Sequence, residues 1–308
     1  MSQGPDSAMS IIETLLSGQL LFAALVTGSL YALIALGLNL VYGTLRMLNV
    51  AHGDVVMLGA YGAYWAFTGG GVSPLVAAPA IAALGALAGL AVYRGVVRRL
   101  FAGAGQTTAR LEGNSLLLFF GLSIILQNAA ALAFTPNARG FAYWTEVYHI
   151  GNVAMTANRL AALVIAGTTC IAVAALLGRS LLGLSMRAVI ERREAATVVG
   201  VDVDRVQAIS FALGFATAAL AGALVSMLEQ ISPFTGFPFT IAAFIVIILG
   251  GLGNLVAGLG AALLLGAIET YGVALTSANV RSVLLYGAFV AALVLFPRGL
   301  FARQTARG

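Results

Sequence analysis

The sequence predicts an all-α polytopic membrane protein of about eight or nine transmembrane helices, with room for re-entrant or broken helices among them. Of its 308 residues, 60% are hydrophobic and 9% are charged, whereas an average soluble domain is about a quarter charged. The mean hydropathy is +1.00, and apolar runs long enough for membrane spans recur along the chain. No room is left for a sizeable soluble domain, so we treat residues 1–308 as a single transmembrane domain.

Nine apolar runs follow one another, and a crossing helix needs roughly 20 apolar residues. A polar N-terminal segment, residues 1–18, precedes the first run. The seventh run is too short to cross unless its helix begins near Phe234. The runs cover residues 20–42, 50–67, 74–93, 115–134, 160–177, 208–228, 239–249, 255–275 and 283–296.

The arginines predict the orientation of these spans, because basic residues favour the cytoplasmic side of a membrane. Nine crossings that keep both arginine-rich loops inside place the N-terminus outside and the tail, residues 298–308, in the cytoplasm. The loop at 139–159 is then outside, where its aromatic residues suit the membrane interface and a short surface helix. The two arginine-rich loops contain Arg94, Arg98, Arg99 and Arg110, and Arg179, Arg187, Arg192, Arg193 and Arg205.

The absence of lysine excludes several chemistries. A Walker A loop and Schiff-base catalysis both need a lysine, and all 16 basic residues of this chain are arginine. A nucleotide-driven cycle would therefore need a separate subunit. We expect no catalytic residue, no metal site and no cofactor in this chain. The net charge of +5 is assigned to cytoplasmic loops rather than to nucleic-acid binding. Cys170, the single cysteine, is expected to be a small buried side chain.

One long charged segment, residues 179–206, separates two apolar runs. Within it, Met186, Val189 and Ala196 recur at roughly helical spacing, which predicts a short amphipathic helix in the cytoplasm. Gly200 and the aspartates after it are expected to end this helix. On this pattern alone, an ordinary solvated surface helix is an equal alternative. The polar row beside the apolar face consists of Arg187, Glu191 and Glu194.

Asn49, His52 and Asp54 stand in an otherwise apolar region. An ionised carboxylate in mid-membrane costs about 2.5 kcal/mol or more, so these side chains should face protein or water. Gly53 allows a helix break, whose free N–H groups could receive an anionic carboxylate. Alternatively, His52 and Asp54 pair with each other or cap a helix near the cytoplasmic face. Other polar residues within apolar runs, which either line a path or bond a neighbouring helix, are Gln127, Asn128 and Glu269.

The charged segment resembles the EAA loop of ABC importer permeases, since Glu194, Ala195, Ala196 and Gly200 fit that pattern without a gap. Further stretches resemble the branched-chain amino acid ABC transporter permease family, the Liv type, which also includes urea and short-amide permeases. The resemblance follows nearly the whole chain in order. The stretches are residues 28–37 (GSLYALIALG), 47–61 (MLNVAHGDVVMLGAY), 121–128 (GLSIILQN) and 249–254 (LGGLGN).

The resemblance implies a multi-pass permease subunit of a bacterial importer in the inner membrane, which alternates access as partner ATPases close. Its implied partners are a second, related permease, two cytoplasmic ABC ATPases and an extracytoplasmic substrate-binding protein. The implied substrates are leucine, isoleucine and valine, with urea or short-chain amides as the alternative. An ion-coupled carrier or channel that uses Asp54 and Glu269 is the alternative from another class. The residues implied to couple to the ATPase are Arg187, Glu191, Glu194, Ala195, Ala196 and Gly200.

Overall fold

The structure is a computed structural model, and it describes residues 17–101, 108–151, 153–251, 253–296 and 299. The polar N-terminal segment up to residue 16 lies outside the described residues. So do Arg298, Arg303 and Arg307 of the basic tail.

The described chain is almost entirely helical, as the apolar runs predict. A two-stranded hairpin and two short helices interrupt the series of long helices. The elements are α1 (Gly18–Leu45), α2 (His52–Thr68), α3 (Pro74–Val92, continued by a π-helical turn, Tyr93–Val97, and a last turn, Arg98–Phe101), α4 (Thr108–Phe134), β1 (Val147–Ile150), β2 (Val153–Thr156), α5 (Ala157–Arg179), α6 (Leu181–Glu191), α7 (Arg193–Val198), α8 (Val203–Val225), α9 (Gly236–Gly250), α10 (Leu255–Leu275) and, after a 3-10 turn (Ala278–Val280), α11 (Arg281–Leu295).

Among the described residues, seven helices are long and apolar enough to cross a membrane. They are α1, α3, α4, α5, α8, α10 and α11, the last counted with its preceding turn. Two further helices in the series are shorter, since α2 has 17 residues and α9 has 15. At about 1.5 Å per residue, α9 is roughly 22 Å long, less than the hydrocarbon core of about 30 Å. The predicted polytopic all-α fold is confirmed, and two of its helices are short.

The core is built around α1 and α8, the two most buried of the long helices. Small residues let their backbones approach closely, as is common where helices pack within lipid. A Cβ placed on Gly37 would lie 2.5 Å from the Gly214 carbonyl oxygen and 2.4 Å from Thr217 Oγ1. On the other faces of this pair, α8 contacts α2 and α3, and α1 contacts α10.

The two ends of the bundle differ, and we name them after the elements that mark them. Strands β1 and β2 form an antiparallel hairpin, with Tyr148 opposite Met155, on what we call the hairpin side. The prediction of a short surface helix in this loop was wrong. Val147, Tyr148 and Ile150 favour strands, and Gly151 takes the left-handed conformation (φ +60°) at the turn.

Helices α6 and α7 mark the opposite end, the linker side. The sequence predicts one amphipathic helix here, and the structure instead has two helices that meet at Arg192, whose backbone is extended (φ −150°, ψ 102°). The buried face is nevertheless the predicted one, with Met186, Val189 and Ala196 all buried. Helical spacing did not reveal the break because Val189 and Ala196, seven residues apart, stay on the buried side across it. Gly200 (φ +85°) follows α7, as predicted.

Candidate functional site

The polar stretch after α1 turns back into the bundle. Helix α1 ends at Arg46, which has a left-handed backbone (φ 56°) and donates its N–H to the Tyr42 carbonyl at 2.7 Å. Six residues later, His52 Nε2 donates to the carbonyl oxygen of Ile34 at 3.0 Å. Because Ile34 lies near the middle of α1, helix α2 begins at mid-height of the bundle rather than at its linker side.

Side chains in this stretch are buried with unused polar atoms. The bond to Ile34 places the ring proton of His52 on Nε2, so Nδ1 is a bare acceptor. It has no hydrogen-bond partner among the described residues, and neither do the two amide atoms of Asn49. Buried polar atoms without partners are uncommon in folded proteins and mark positions that need a functional explanation.

Asp54 lies two residues after His52 and faces α4. Gln127 Nε2 donates to Asp54 Oδ1 at 3.0 Å and to Ser123 Oγ at 3.0 Å. The second carboxylate oxygen, Oδ2, is buried and without a hydrogen-bond partner in the described part of the chain. Asn128, predicted alongside Gln127, is exposed and donates to the Ile124 carbonyl of its own helix. The structure thus brings Gln127 to Asp54 and leaves Asn128 on the outer surface of the bundle.

Helices α2 and α9 begin at the same interior point, which we call the helix junction (residues 49–54 and 236–240). Gly53 and Gly236 are in backbone contact, since a Cβ on Gly53 would lie 1.9 Å from the Gly236 carbonyl oxygen. The Thr240 hydroxyl accepts from Gly53 N (2.9 Å) and donates to the Val50 carbonyl (3.0 Å). Paired half-helices that meet inside the membrane are the usual construction of transporter binding sites.

The first N–H groups of α2 are already bonded within the protein. His52 N donates to Asn49 O, Gly53 N to Thr240 Oγ1, and Asp54 N to Ala51 O. They are therefore not free to receive a carboxylate in this conformation. His52 and Asp54 do not pair with each other either, because their partners are Ile34 and Gln127. The alternative of a cap near the cytoplasmic face also fails, because α2 begins at mid-height.

Glu269 lies apart from the helix junction, at a cavity of about 390 Å³ that opens near the hairpin side. Tyr31 donates its hydroxyl proton to Glu269 Oε2, and Arg281 Nε donates to Glu269 Oε1 at 2.5 Å. Arg281 Nη1 also bonds Glu229 Oε1 at 3.0 Å. Phe239, the neighbour of Thr240, lines the cavity too, so α9 contributes to both places.

Sequence reasoning missed several residues of this arrangement. Tyr31 and Thr240 lie within apolar runs where such residues are common, and Arg281 stands at the start of a run, where it reads as an ordinary flanking charge. Tyr31 and Glu269 are 238 residues apart, and no local pattern connects them. The sequence did offer one signal. Glu269 is an acidic residue inside a span, and a charge buried in lipid requires a partner, so an arginine at the end of a span could have been predicted as that partner.

The linker side presents a second surface. Helix α6 packs closely on the end of α5 at Gly183, where a Cβ would lie 1.8 Å from the Leu177 carbonyl oxygen. Beyond it, Val198 and Val199 are 87% and 76% exposed. Four predicted coupling residues beside them are also exposed: Glu191, Glu194, Ala195 and Gly200. Arg187 is exposed as well, and it donates to the Leu177 carbonyl.

An apolar helical bundle with half-helices meeting at its centre, a charged cavity on one side and an exposed helical unit on the other defines an integral membrane transport protein. A family model described as "Branched-chain amino acid transport system / permease component" matches residues 20–293. The chain belongs to this family of permease subunits of ABC importers. No solved structure matches it significantly.

Curated relatives match over nearly their full lengths. The chain is 30% identical to the high-affinity branched-chain amino acid transport system permease protein LivH of Escherichia coli K12, covering 92% of this chain and 95% of LivH. It is also 30% identical to the corresponding permease BraD of Pseudomonas aeruginosa, with the same coverage. The probable LivH protein of Methanocaldococcus jannaschii is 24% identical over 95% of this chain and 93% of its own.

Proposed function

We propose that this chain moves leucine, isoleucine and valine across the bacterial inner membrane as one permease of a heterodimer driven by two partner ATPases. The substrates are inferred from the similar proteins LivH and BraD, which are permeases of branched-chain amino acid transport systems. The chain itself is not an enzyme in this proposal, and ATP and magnesium bind to the partner subunits. An extracytoplasmic binding protein delivers the amino acid to the hairpin side.

The exposed α6–α7 unit is the observation that carries the proposal. Met186, Val189 and Ala196 fix the unit to the bundle, while Val198 and Val199 project from it without cover. These apolar side chains lie beyond the ends of the adjoining spans, so lipid is not their natural environment. A partner protein that covers them would remove apolar surface from water, at roughly 25 cal/mol per Å². The groove of an ATPase subunit is the partner that this unit fits.

The distribution of arginine supports the orientation. On the hairpin side the described residues include Arg139, Arg159 and Arg281, and the remaining arginines at described positions lie on the linker side. Basic residues concentrate on the cytoplasmic side of membrane proteins. We therefore place the linker side in the cytoplasm, with the N-terminus outside.

Reversal of one charge on the α6–α7 unit, which we call the docking unit (residues 181–200), tests its coupling to the ATPase. In proteoliposomes that contain the full transporter and its binding protein, we expect Glu194→Arg to lower ATP-driven uptake of L-leucine at least tenfold. A bulky opposite charge within a docked surface costs several kcal/mol. The matched control is Glu146→Arg, a charge reversal at an exposed position on the hairpin side, which should leave uptake and membrane insertion unchanged.

Normal uptake by the Glu194→Arg variant would contradict the coupling role. Leucine uptake that continues after removal of both ATPases would overturn the importer proposal as a whole. Transport of urea or acetamide in place of leucine would overturn only the substrate.

A further inference from the structure

The cavity on the hairpin side contains an unequal set of charges. Two carboxylates, Glu229 and Glu269, share the single guanidinium of Arg281. Both oxygens of Glu269 are engaged, by Tyr31 and by Arg281. Glu229 uses only Oε1, and its Oε2 has no hydrogen-bond partner in the described part of the chain. One negative charge at this cavity is therefore available to a cation.

A fourth charged side chain lines the same cavity. Arg159, in the first turn of α5, is exposed. Its guanidinium makes no hydrogen bond or ion pair to any described residue. An unpaired guanidinium is a ready partner for a carboxylate, which it binds through two parallel N–H groups. The cavity thus presents one free cation and one free carboxylate oxygen, and the four charged groups together sum to zero.

Apart from Thr27 and Thr270, the rest of the cavity wall is apolar. Its residues come from the first half of α1, the end of α8 and the second half of α10. A volume of about 390 Å³ is near the lower end of ligand pockets, which range from roughly 300 to 1,000 Å³, and suits one small molecule rather than a peptide. The apolar wall includes Leu20, Ala23, Val26, Val225, Leu228 and Val273.

We infer that this cavity binds a single zwitterionic amino acid with an aliphatic side chain, with its carboxylate on Arg159, its ammonium group on Glu229 and its side chain against the aliphatic wall. The inference rests on the proposed function and assigns a place to its substrate on the hairpin side. A ligand with one charge of each sign leaves the net charge of the cavity at zero, whereas an anion or a cation alone would not. Arg281 and Tyr31 act as positioning residues that hold Glu269 and Glu229 in place.

Photo-crosslinking with photo-leucine, a leucine analogue with a diazirine in its side chain, tests the site in the full transporter in nanodiscs. We expect labelled peptides from the first half of α1 and from the second half of α10, which form the aliphatic wall. L-Leucine should prevent this labelling. The single-charge analogues 4-methylpentanoate and 3-methylbutylamine should compete at least tenfold more weakly, because each lacks one of the two groups.

Two variants separate the charged contacts from the fold. Arg159→Gln removes an unpaired, exposed charge, so the chain should fold as before while protection by leucine weakens at least tenfold. Glu229→Gln should weaken protection similarly. The control variants are Arg139→Gln and Glu146→Gln. Each removes a charge of the same sign on the hairpin side, from a residue that does not line the cavity, and in both variants leucine should protect as well as it does in the unsubstituted protein.

Several results would overturn the site. Labelling that is absent from both segments, or that excess leucine does not reduce, places the substrate elsewhere, and so does unchanged protection in Arg159→Gln. Leucine uptake by the same proteins reconstituted in proteoliposomes tells this failure from that of the proposed function. Uptake with no labelling of the cavity rejects the site alone, and absence of uptake rejects the function.

Discussion

Gly53 and Gly236 allow two helix ends to meet inside the bundle. A Cβ on Gly236 would lie 2.7 Å from Asp54 Oδ1 and from the Gly53 carbonyl oxygen. The Asp54 side chain can rotate away from such a Cβ, but the Gly53 carbonyl belongs to the backbone and cannot. The two glycines therefore set how closely α2 approaches α9, and a methyl group at either position must push the helices apart.

Substitution of Gly53 by alanine should destabilise the protein by about 1–3 kcal/mol, the usual cost of overpacking. Gly62→Ala in the same helix is the matched control, because a Cβ there meets only Ile81 at an ordinary 3.5 Å. Alanine is the better helix former by up to ~1 kcal/mol, so the control should be neutral or slightly stabilising. Thermal unfolding of the detergent-solubilised chain measures both. Equal melting temperatures for the two variants would contradict the close approach.

Part of the candidate site could be predicted from single residues in the sequence. Asp54, Gln127 and Glu269 were predicted because ionisable and amide groups are costly among lipid tails. Which groups they meet was not predictable, because the partners come from distant spans. The assignment of these residues to a translocation path remains a prediction.

Helices α2 and α9 are joined by one hydroxyl group. Thr240 receives the Gly53 N–H and reaches the Val50 carbonyl, so it satisfies backbone groups on both sides of the break before α2. An unsatisfied backbone group in an apolar interior costs several kcal/mol. A single side chain therefore completes the hydrogen bonding of an irregular segment that lipid could not tolerate.

Thr240→Val tests this link because it removes the hydroxyl at almost constant shape. We expect a loss of about 1–3 kcal/mol in stability, since the Gly53 N–H and the Val50 carbonyl lose a buried partner. Thr168→Val on α5 is the control, because that hydroxyl is exposed and bonds only within its own helix. Melting temperatures that fall equally in both variants would remove the special role of Thr240.

Elements differed in how well the sequence predicted them. The long apolar helices were predicted because periodicity and length suffice to recognise a span. The hairpin was missed because its strands have four residues each, too few for a periodic pattern. The short apolar run at residues 239–249 indicated that α9 would be short. Its start at Gly236 was not predictable, because it depends on contact with Gly53, which is distant in the sequence.

Contacts form a continuous route through the whole molecule. Arg46 Nη2 donates to the Ile190 carbonyl at the end of α6 (3.2 Å), and the segment after Arg46 leads to Gly53. Thr240 then connects Gly53 to α9, and its neighbour Phe239 faces the cavity. The docking unit, the helix junction and the cavity are thus linked in one line, as a permease that converts movement of an ATPase into altered access would require.

The orientation of the molecule can be measured because the chain has a single cysteine, Cys170, which is buried. After Cys170→Ala, a cysteine at an exposed position reports its own side of the membrane. In intact cells, a membrane-impermeant maleimide should label Val147→Cys on the hairpin side. When the chain is produced without its partner ATPases, which would cover Val198, the reagent should label Val198→Cys on the linker side only after the cells are opened. The opposite pattern would invert the proposed orientation and place the docking unit outside.

The helix junction also fixes an order of events during synthesis. Gly53 and Thr240 are 187 residues apart, and a ribosome adds about 5–20 residues per second, so on the order of 10 to 40 s separate their appearance. Throughout that interval the start of α2 has no Thr240 to bond it and no α9 to cover Asp54. We therefore expect α2 to reach its final depth only after α9 has been made, whereas the long apolar helices before and after α2 can insert earlier.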